Sequence, residues 1–354
     1  MNILIWFMAF ANLRTPLPIT YIPFPMVYSL YLLFKHKIHY LNYIYLFSFF
    51  TIVLFLYIYS GSNYLLLIFY WSVLYITFRV SPPGNLDRSI QSILILIILF
   101  SIFQYFSFFE SVNNFFKSVF VINELDNLDI FNIRGANAWF VEPTHLARYS
   151  IFLLSLYLIS GSPISHVYFL SILLLFVSKS LFIVVFIFIL LFHGRKLSFA
   201  NILGISFIFL LFSIYSYYGE NRFGIILHSI FDGDFNIRSI GGRRALQFYD
   251  IIKYSISSSN YLGLFSVNDA LANIYEMNSV YHEFDVIYPT SHFLIFLLQF
   301  GMIPSIIILS FLLYLLKTCK FKSICIYWII IFVFSSPPSM IYHWIIFALL
   351  PRSK

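Results

Sequence analysis

The sequence predicts an all-α fold: a polytopic integral membrane protein with about 10–12 transmembrane helices and two extracytoplasmic loops. Three observations lead there. The 354 residues are 61% hydrophobic and only 10% charged, with a mean hydropathy of +0.89, whereas a soluble domain carries about 25% charged residues. The apolar residues run continuously instead of alternating. That selects helices over the other structure lipid permits, a closed barrel with its period of two. Finally, thirteen of the fourteen acidic residues lie in 110–145 and 218–290, and short basic loops join most of the other segments. Lysine and arginine favour the cytoplasmic side of a bilayer, so the two acid-bearing stretches are the outer loops.

In chain order the candidate spans are 1–13, 17–34, 43–60, 64–80, 89–109, 146–160, 166–177, 180–193, 200–217, 291–316, 324–337 and 338–350. Residues 1–13 read as a first span, not a cleavable leader. They run through Arg14 into the next apolar stretch without a small-residue cleavage pattern. Placing Lys35, Lys37, Arg79, Arg88, Arg195, Lys196, Lys317, Lys320, Lys322, Arg352 and Lys354 inside fixes the middle of the chain. It requires 166–193 to be two passes, broken at Ser178-Lys179-Ser180. As one helix, that stretch exports Arg195 and Lys196 and inverts everything after them. A similar break at Ser335-Ser336-Pro337-Pro338-Ser339 makes a hairpin of the last apolar stretch. The first outer loop, 110–145, has 36 residues; the second, 218–290, has 73 and room for helices of its own. One such helix follows Gly241-Gly242, where RRALQFYDIIKYS has apolar residues at helical spacing. No repeat or low-complexity linker divides the chain, so 1–354 reads as a single transmembrane domain. Cys319 and Cys325 flank a basic inner loop and point to neither a disulfide nor a metal site. Loop orientation accounts for the net charge of +7, and nucleic acid is not an expected partner.

Residues able to carry chemistry gather in or beside the outer loops. Arg134 precedes Glu142-Pro143-Thr144-His145 and Arg148. Pro143 keeps Glu142 extended and is itself well tolerated in a first helical turn, so Glu142 stands just ahead of a membrane helix. His145 and Arg148, three residues apart, share a helix face. A capped helix end with a snorkelling arginine accounts for the same residues. However, Glu, His and Arg crowded at a membrane boundary are costly unless paired or wetted. Lys179, between two serines at a break, is either a surface-seeking lysine or a ligand. In the second loop Arg222, Arg238, Arg243 and Arg244 offer forked donors that suit pyrophosphate oxygens. Ion pairs with Asp232, Asp234 and Asp250 are the alternative. Gly241 and Gly242, which let backbone approach closely, favour a site at 241–244. His292 opens the next span as an interface marker or as a proton acceptor near pH 7, with Gln299 and Gly301 deeper in that span. The only Asp-x-Asp spacing in the loops is Asp232-Gly233-Asp234 and no His-x3-His occurs, so neither a metal nor another cofactor is expected.

Taken together and in this order, these features resemble the O-antigen polymerase family and its relatives, the O-antigen ligases. Glu142-Pro143-Thr144 resembles the family's Glu-Pro-Ser type motif, and Ser178-Lys179-Ser180 resembles a Ser-Arg element between spans. Gly242-Arg243-Arg244 with Phe248 is similar to a Gly-Arg…aromatic element, and Ser291-His292 with Gly301 is similar to a His-Asn…Gly stretch. Arg222 and Gly233 also fit an Arg-x10-Gly pattern of some members. The resemblance runs through the C-terminal two-thirds of the chain; the part before it matches only as a string of spans. Lys179 stands where arginine is usual, Phe248 where tryptophan is common, and Phe293 where asparagine often follows the histidine.

The resemblance implies a metal-independent glycosyltransferase of the bacterial inner membrane. It would polymerise repeat units carried on undecaprenyl pyrophosphate at the periplasmic face. Arg243 or Arg244 with Lys179, helped by Arg134 or Arg222, would hold the leaving pyrophosphate, with His145 and Arg148 also on substrate. His292 is the first choice of base and Glu142 the second. Membrane lipid, lipid-linked glycans, a chain-length regulator and a flippase are the implied partners. Two other readings stand beside it. A ligase would pass glycan to a lipid A-core sugar. A flippase or other transporter would form no bond, but such proteins place charge near the bilayer midplane and often contain repeats. The topology has a direct check: a reporter fused after Lys196 reads cytoplasmic and one fused within 255–285 reads periplasmic, and the opposite result inverts the assignment.

Overall fold

The computed structural model describes residues 2–9, 24–35, 72–73, 75–79, 87–105, 143–193, 199–218, 240–261, 267–277, 291–334 and 342–352, with scattered single positions such as Ala136, Ala138–Phe140 and Gly263. The regular elements among the described residues are all helical, as the sequence predicts. They divide into two compact units, 1–36 with 77–234 and 37–76 with 235–354, each described by itself.

The first unit contains α1 (Asn2–Ala9), α2 (Phe24–Lys35), α3 (Asp87–Tyr105), α4 (Pro143–Ile159), α5 (Ile164–Ser178), α6 (Leu181–His193) and α7 (Phe199–Tyr218). Asp87, the one acid outside the outer loops, opens α3, where a carboxylate suits the positive end of the helix dipole. It also accepts hydrogen bonds from Ser160 (2.8 Å) and Ser162 (3.1 Å) in the turn between α4 and α5. At the far end of α3, the Gln104 side chain accepts from the Ala138 amide at 2.9 Å and donates to its carbonyl at 3.4 Å. Ala138 lies just ahead of α4, so α3 and α4 run antiparallel, with α5 packed on both. Trp139 Nε1 donates to the Ala9 carbonyl (2.7 Å) and the Tyr149 hydroxyl to that of Ile5 (2.8 Å), fastening α1 to the same end.

The chain breaks where its charges require. Lys179 takes a left-handed conformation (φ 47°, ψ 33°) and caps α5, its amide donating to Leu175 at 2.9 Å. Ser180 then starts α6, its carbonyl accepting from Ile183 at 3.0 Å. A helix continuing in line past Ser178 would leave its neighbours behind. Instead α6 packs on both α4 and α5, so the chain turns back at Lys179.

The second unit contains α8 (Ile240–Ser257), α9 (Val267–Met277), α10 (His292–Phe300), α11 (Met302–Thr318), α12 (Lys322–Phe334) and α13 (Tyr342–Leu349), ending in a 3-10 turn at Leu350–Arg352. The helix expected after Gly241-Gly242 is α8. The single span expected over 291–316 is, however, two helices meeting at Gly301 (φ 83°, ψ −175°). The cause is local. Pro304 has no amide to continue the ladder, and a segment of the preceding loop enters the gap. The Asn260 and Tyr261 carbonyls accept from the Met302 and Ile303 amides at 2.9 and 3.1 Å. The Asn260 side chain meanwhile donates to Leu298 (3.2 Å) and accepts from the Gly263 amide (2.9 Å). Backbone approaches so closely that a Cβ on Gly301 would lie 2.5 Å from the Gly263 nitrogen.

By length and composition, Asp87–Gln104 can cross a membrane by itself; Thr144–Ile159, Ile164–Ser178, Leu181–Leu191, Met302–Thr318 and Lys322–Phe334 are shorter apolar helices. Two glycines with positive φ separate conformational strain from crowding. Gly161→Ala has nothing within 4 Å of the new Cβ and should cost about 1–2 kcal/mol, from backbone strain alone. Gly301→Ala adds the collision and should cost about twice that or more. Thermal unfolding of both variants in detergent checks the order; equal losses would mean that the 260–263 segment does not fill the break.

Candidate functional site

Among the described residues, polar or charged candidate side chains gather in the first unit near the break at Lys179 and in the second around the start of α10. In the first unit, His145 and Arg148 lie in the opening turns of α4, with His145 half-buried and Arg148 only 5% exposed. The Arg148 guanidinium stands 4.4 Å from the centre of the Phe182 ring, three residues past Lys179. Lys179 is itself 7% exposed, with Nζ 5.6 Å from the Tyr215 ring centre on α7. The Ala136 amide donates to the Val177 carbonyl at 3.2 Å, joining the end of the first loop to the same break. Structure thus gathers Arg148 and Lys179, 31 positions apart in sequence, around one helix end. Each ring contact contributes about 0.5–2 kcal/mol, and the carbonyls ending α5 favour the Lys179 cation by about 0.3–1 kcal/mol. A lysine reaching for the surface is not what is observed here. Its stem and ammonium are both covered.

In the second unit, His292 is the first residue of α10 and is 1% exposed. Ser291 caps the helix. Its hydroxyl accepts from the Leu294 amide at 3.1 Å and donates to the Val333 carbonyl on α12. The imidazole lies 5.2 Å from the Phe332 ring, 4.6 Å from that of His343 and 6.2 Å from that of Trp344, centre to centre. One residue past the Ser291 contact, Phe334 meets Phe248 of α8 at 5.3 Å. Residues 332–334 therefore touch the histidine, its cap and the arginine-bearing helix in succession. Arg244 precedes Phe248 by one turn of α8, which places its Cα about 6 Å along the axis on the same face. Arg243 and Arg244 are placed here by their helical backbone; their side chains lie outside the described residues.

Glu142, Arg134 and Arg222 also lie outside the described residues. Among the residues described, no group of three His, Cys, Asp or Glu side chains is arranged to hold a metal. Three contributors escaped the sequence reading: Asn260, which fills the break at Gly301, and His343 with Trp344, which enclose His292. A signal for the last two does exist. Ser291-His292-Phe293 and Tyr342-His343-Trp344 both put a histidine and then an aromatic residue at the opening of an apolar helix. Comparison with protein-family models, with curated proteins and with solved structures finds no match.

Lys179→Asn tests whether the left-handed break depends on the lysine charge. Asparagine tolerates this conformation, so stability should change by no more than about 1 kcal/mol, measured by thermal unfolding. A loss of several kcal/mol would make the ammonium itself the element that holds the turn.

Proposed function

We propose that the protein is a polytopic inner-membrane glycosyltransferase that polymerises lipid-pyrophosphate-linked oligosaccharide repeats at the outer face. The observation that carries this reading is the docking of α8, with Gly242-Arg243-Arg244, against α10, which begins at His292. Phe248 of α8 also meets Phe334 of α12, two residues past Phe332, whose ring packs on that of His292. A paired-arginine element and a helix-opening histidine are the two components that transfer from a lipid pyrophosphate needs. The acceptor hydroxyl oxygen forms a bond to the anomeric carbon, and the bond from that carbon to the pyrophosphate oxygen breaks. The hydroxyl proton goes to a base, and the negative charge gathers on the departing diphosphate. Fixed guanidinium groups of Arg243 and Arg244 stabilise that charge as it develops. His292 takes the proton, with Glu142 as the second candidate.

Membrane residence is supported by the apolar side chains turned outward on several helices: Phe169, Phe188, Phe207, Ile306, Ile307 and Leu313 are all more than half exposed or close to it. A soluble protein seldom presents so much apolar area, while a lipid-facing surface requires it. The Glu142-Pro143-Thr144 motif leans towards a polymerase over a ligase. On this reading Arg243 or Arg244 holds the leaving pyrophosphate, with Lys179, Arg134, His145, Arg148 and Arg222 as the other substrate-binding candidates. A chain-length regulator and a flippase are the expected partners.

The test is purified protein in bilayers with a synthetic undecaprenyl-pyrophosphate repeat, read as a product ladder. Native protein should extend the chain equally with and without a chelator. Arg244→Ala and His292→Ala should each lower the rate by about 100-fold or more with insertion unchanged. Release of lipid pyrophosphate only when a lipid A-core acceptor is supplied would mark a ligase, and no release under either condition would set aside the enzyme reading.

A further inference from the structure

Two helices fall within the second outer loop, α8 and α9. Both pack on α10, yet they turn opposite kinds of surface outward. On α9 the exposed residues include Asp269, Asn273 and Glu276, spaced by four and three positions and so on one face. Ala270, Leu271 and Ile274 of the same helix are buried. This is the ordinary pattern of a helix with one side in water. On α8 the same spacing exposes Tyr249, Lys253 and Ile256, with Tyr249 and Ile256 more than half exposed. The packed side is the more polar one, because Gln247, Ile251 and Ser255 are buried there.

Large apolar side chains turned away from the rest of the protein are unfavourable in water unless something apolar covers them. Where the α8 face leads indicates the cover. Tyr261, also more than half exposed, follows the end of α8 by four residues, and its carbonyl accepts from the Ile303 amide at 3.1 Å. Ile303, Ile306 and Ile307 are the exposed isoleucines in the opening turns of α11, the helix whose outward side is read above as facing lipid. The exposed surface of α8 thus runs into that of α11 where Tyr261 meets Ile303. Lys253 suits the same setting. Its Nζ stands 5.9 Å from the centre of the Tyr249 ring, and tyrosine and lysine are residues that place an apolar body in lipid and a polar tip at the headgroups.

We propose that α8 is seated in the outer leaflet of the bilayer, with Tyr249, Ile256 and Tyr261 against lipid, while α9 faces water. The second outer loop is then not wholly aqueous: one of its helices is a continuation of the lipid-facing surface. Arg244 precedes Tyr249 by five residues, about 7.5 Å of helix rise, so the seat keeps the arginine-bearing turn near the lipid boundary. This inference rests on the membrane half of the reading above and is independent of glycosyl transfer.

Nitroxide labelling of the full-length protein in phosphatidylethanolamine–phosphatidylglycerol vesicles tests it. Tyr249→Cys and Ile256→Cys probe α8, Ile307→Cys probes α11 and Glu276→Cys probes α9, one substitution per variant. Cys319 and Cys325 are buried, and unsubstituted protein carried through the same labelling gives their background. Collisions of each label with oxygen, which concentrates in lipid, are compared with collisions with a water-soluble nickel chelate. Labels at 249 and 256 should match the label at 307 and collide more with oxygen; the label at 276 should collide more with the chelate. Chelate-dominated collisions at 249 and 256, with 307 still in lipid, would overturn the inference and leave membrane residence standing. Few collisions with either reagent at 249 and 256 would put protein, such as a second copy, on this face and would overturn it too, as would a label at 276 found in lipid. A label at 307 found in water would bring down the membrane reading and this inference with it. All four side chains are exposed, and either α8 position decides the matter if the other variant fails to insert.

Discussion

Breaking a helix inside an apolar environment exposes peptide groups that neither lipid nor packed side chains can satisfy. Among the described residues two such breaks occur, at Lys179 and at Gly301, and the local architecture follows from how each is closed. At Gly301 the amides of Met302 and Ile303 would go unpaired, at about 1–3 kcal/mol each, and Asn260 with Tyr261 supplies both acceptors. At Lys179 the closing device is a left-handed residue, with the Ala136 amide taking the Val177 carbonyl beside it.

Closing the breaks with loop segments has a chemical consequence. Asn260 follows α8 by three residues, so the bond that repairs the α10–α11 interruption also pulls the arginine-bearing helix onto the helix that begins at His292. Gly263 and Gly301 admit no Cβ at that crossing, so the approach is backbone to backbone. Binding and proton transfer need groups positioned to within a fraction of an ångström. Backbone-to-backbone contact provides that better than flexible side chains could. The aromatic residues around His292 complete the enclosure and leave the imidazole 1% exposed.

Much of this was legible in the sequence, and the rest was hidden for identifiable reasons. The break at Lys179 could be read because charge, unlike hydropathy, changes sign across a membrane and punishes a miscounted pass. The helix at 240–257 announced itself through apolar spacing beside two glycines. By contrast, the interruption at Gly301 lies inside an unbroken apolar run, where only Gly301 and Pro304 hinted at it. Asn260 looked like one polar residue in a polar loop, and its role depends on a contact 38 positions away. His343 lies within the final apolar span, 338–350, and nothing local indicates which helix end it will meet. Arg243 and Arg244 fall on the helix expected after Gly241-Gly242, but its packing against α10 had no signal in the sequence.

Amide hydrogen exchange at Met302 and Ile303, in protein shown by its product ladder to be active, tests the central claim most directly. These two amides carry no intrahelical partner, so their protection reports the loop segment seated in the break. The account predicts slow exchange in the native protein, and faster exchange with a matching loss of chain extension in Asn260→Ala. Rapid exchange at both positions in a fully active enzyme would show that the site is assembled by something other than the closure of this break.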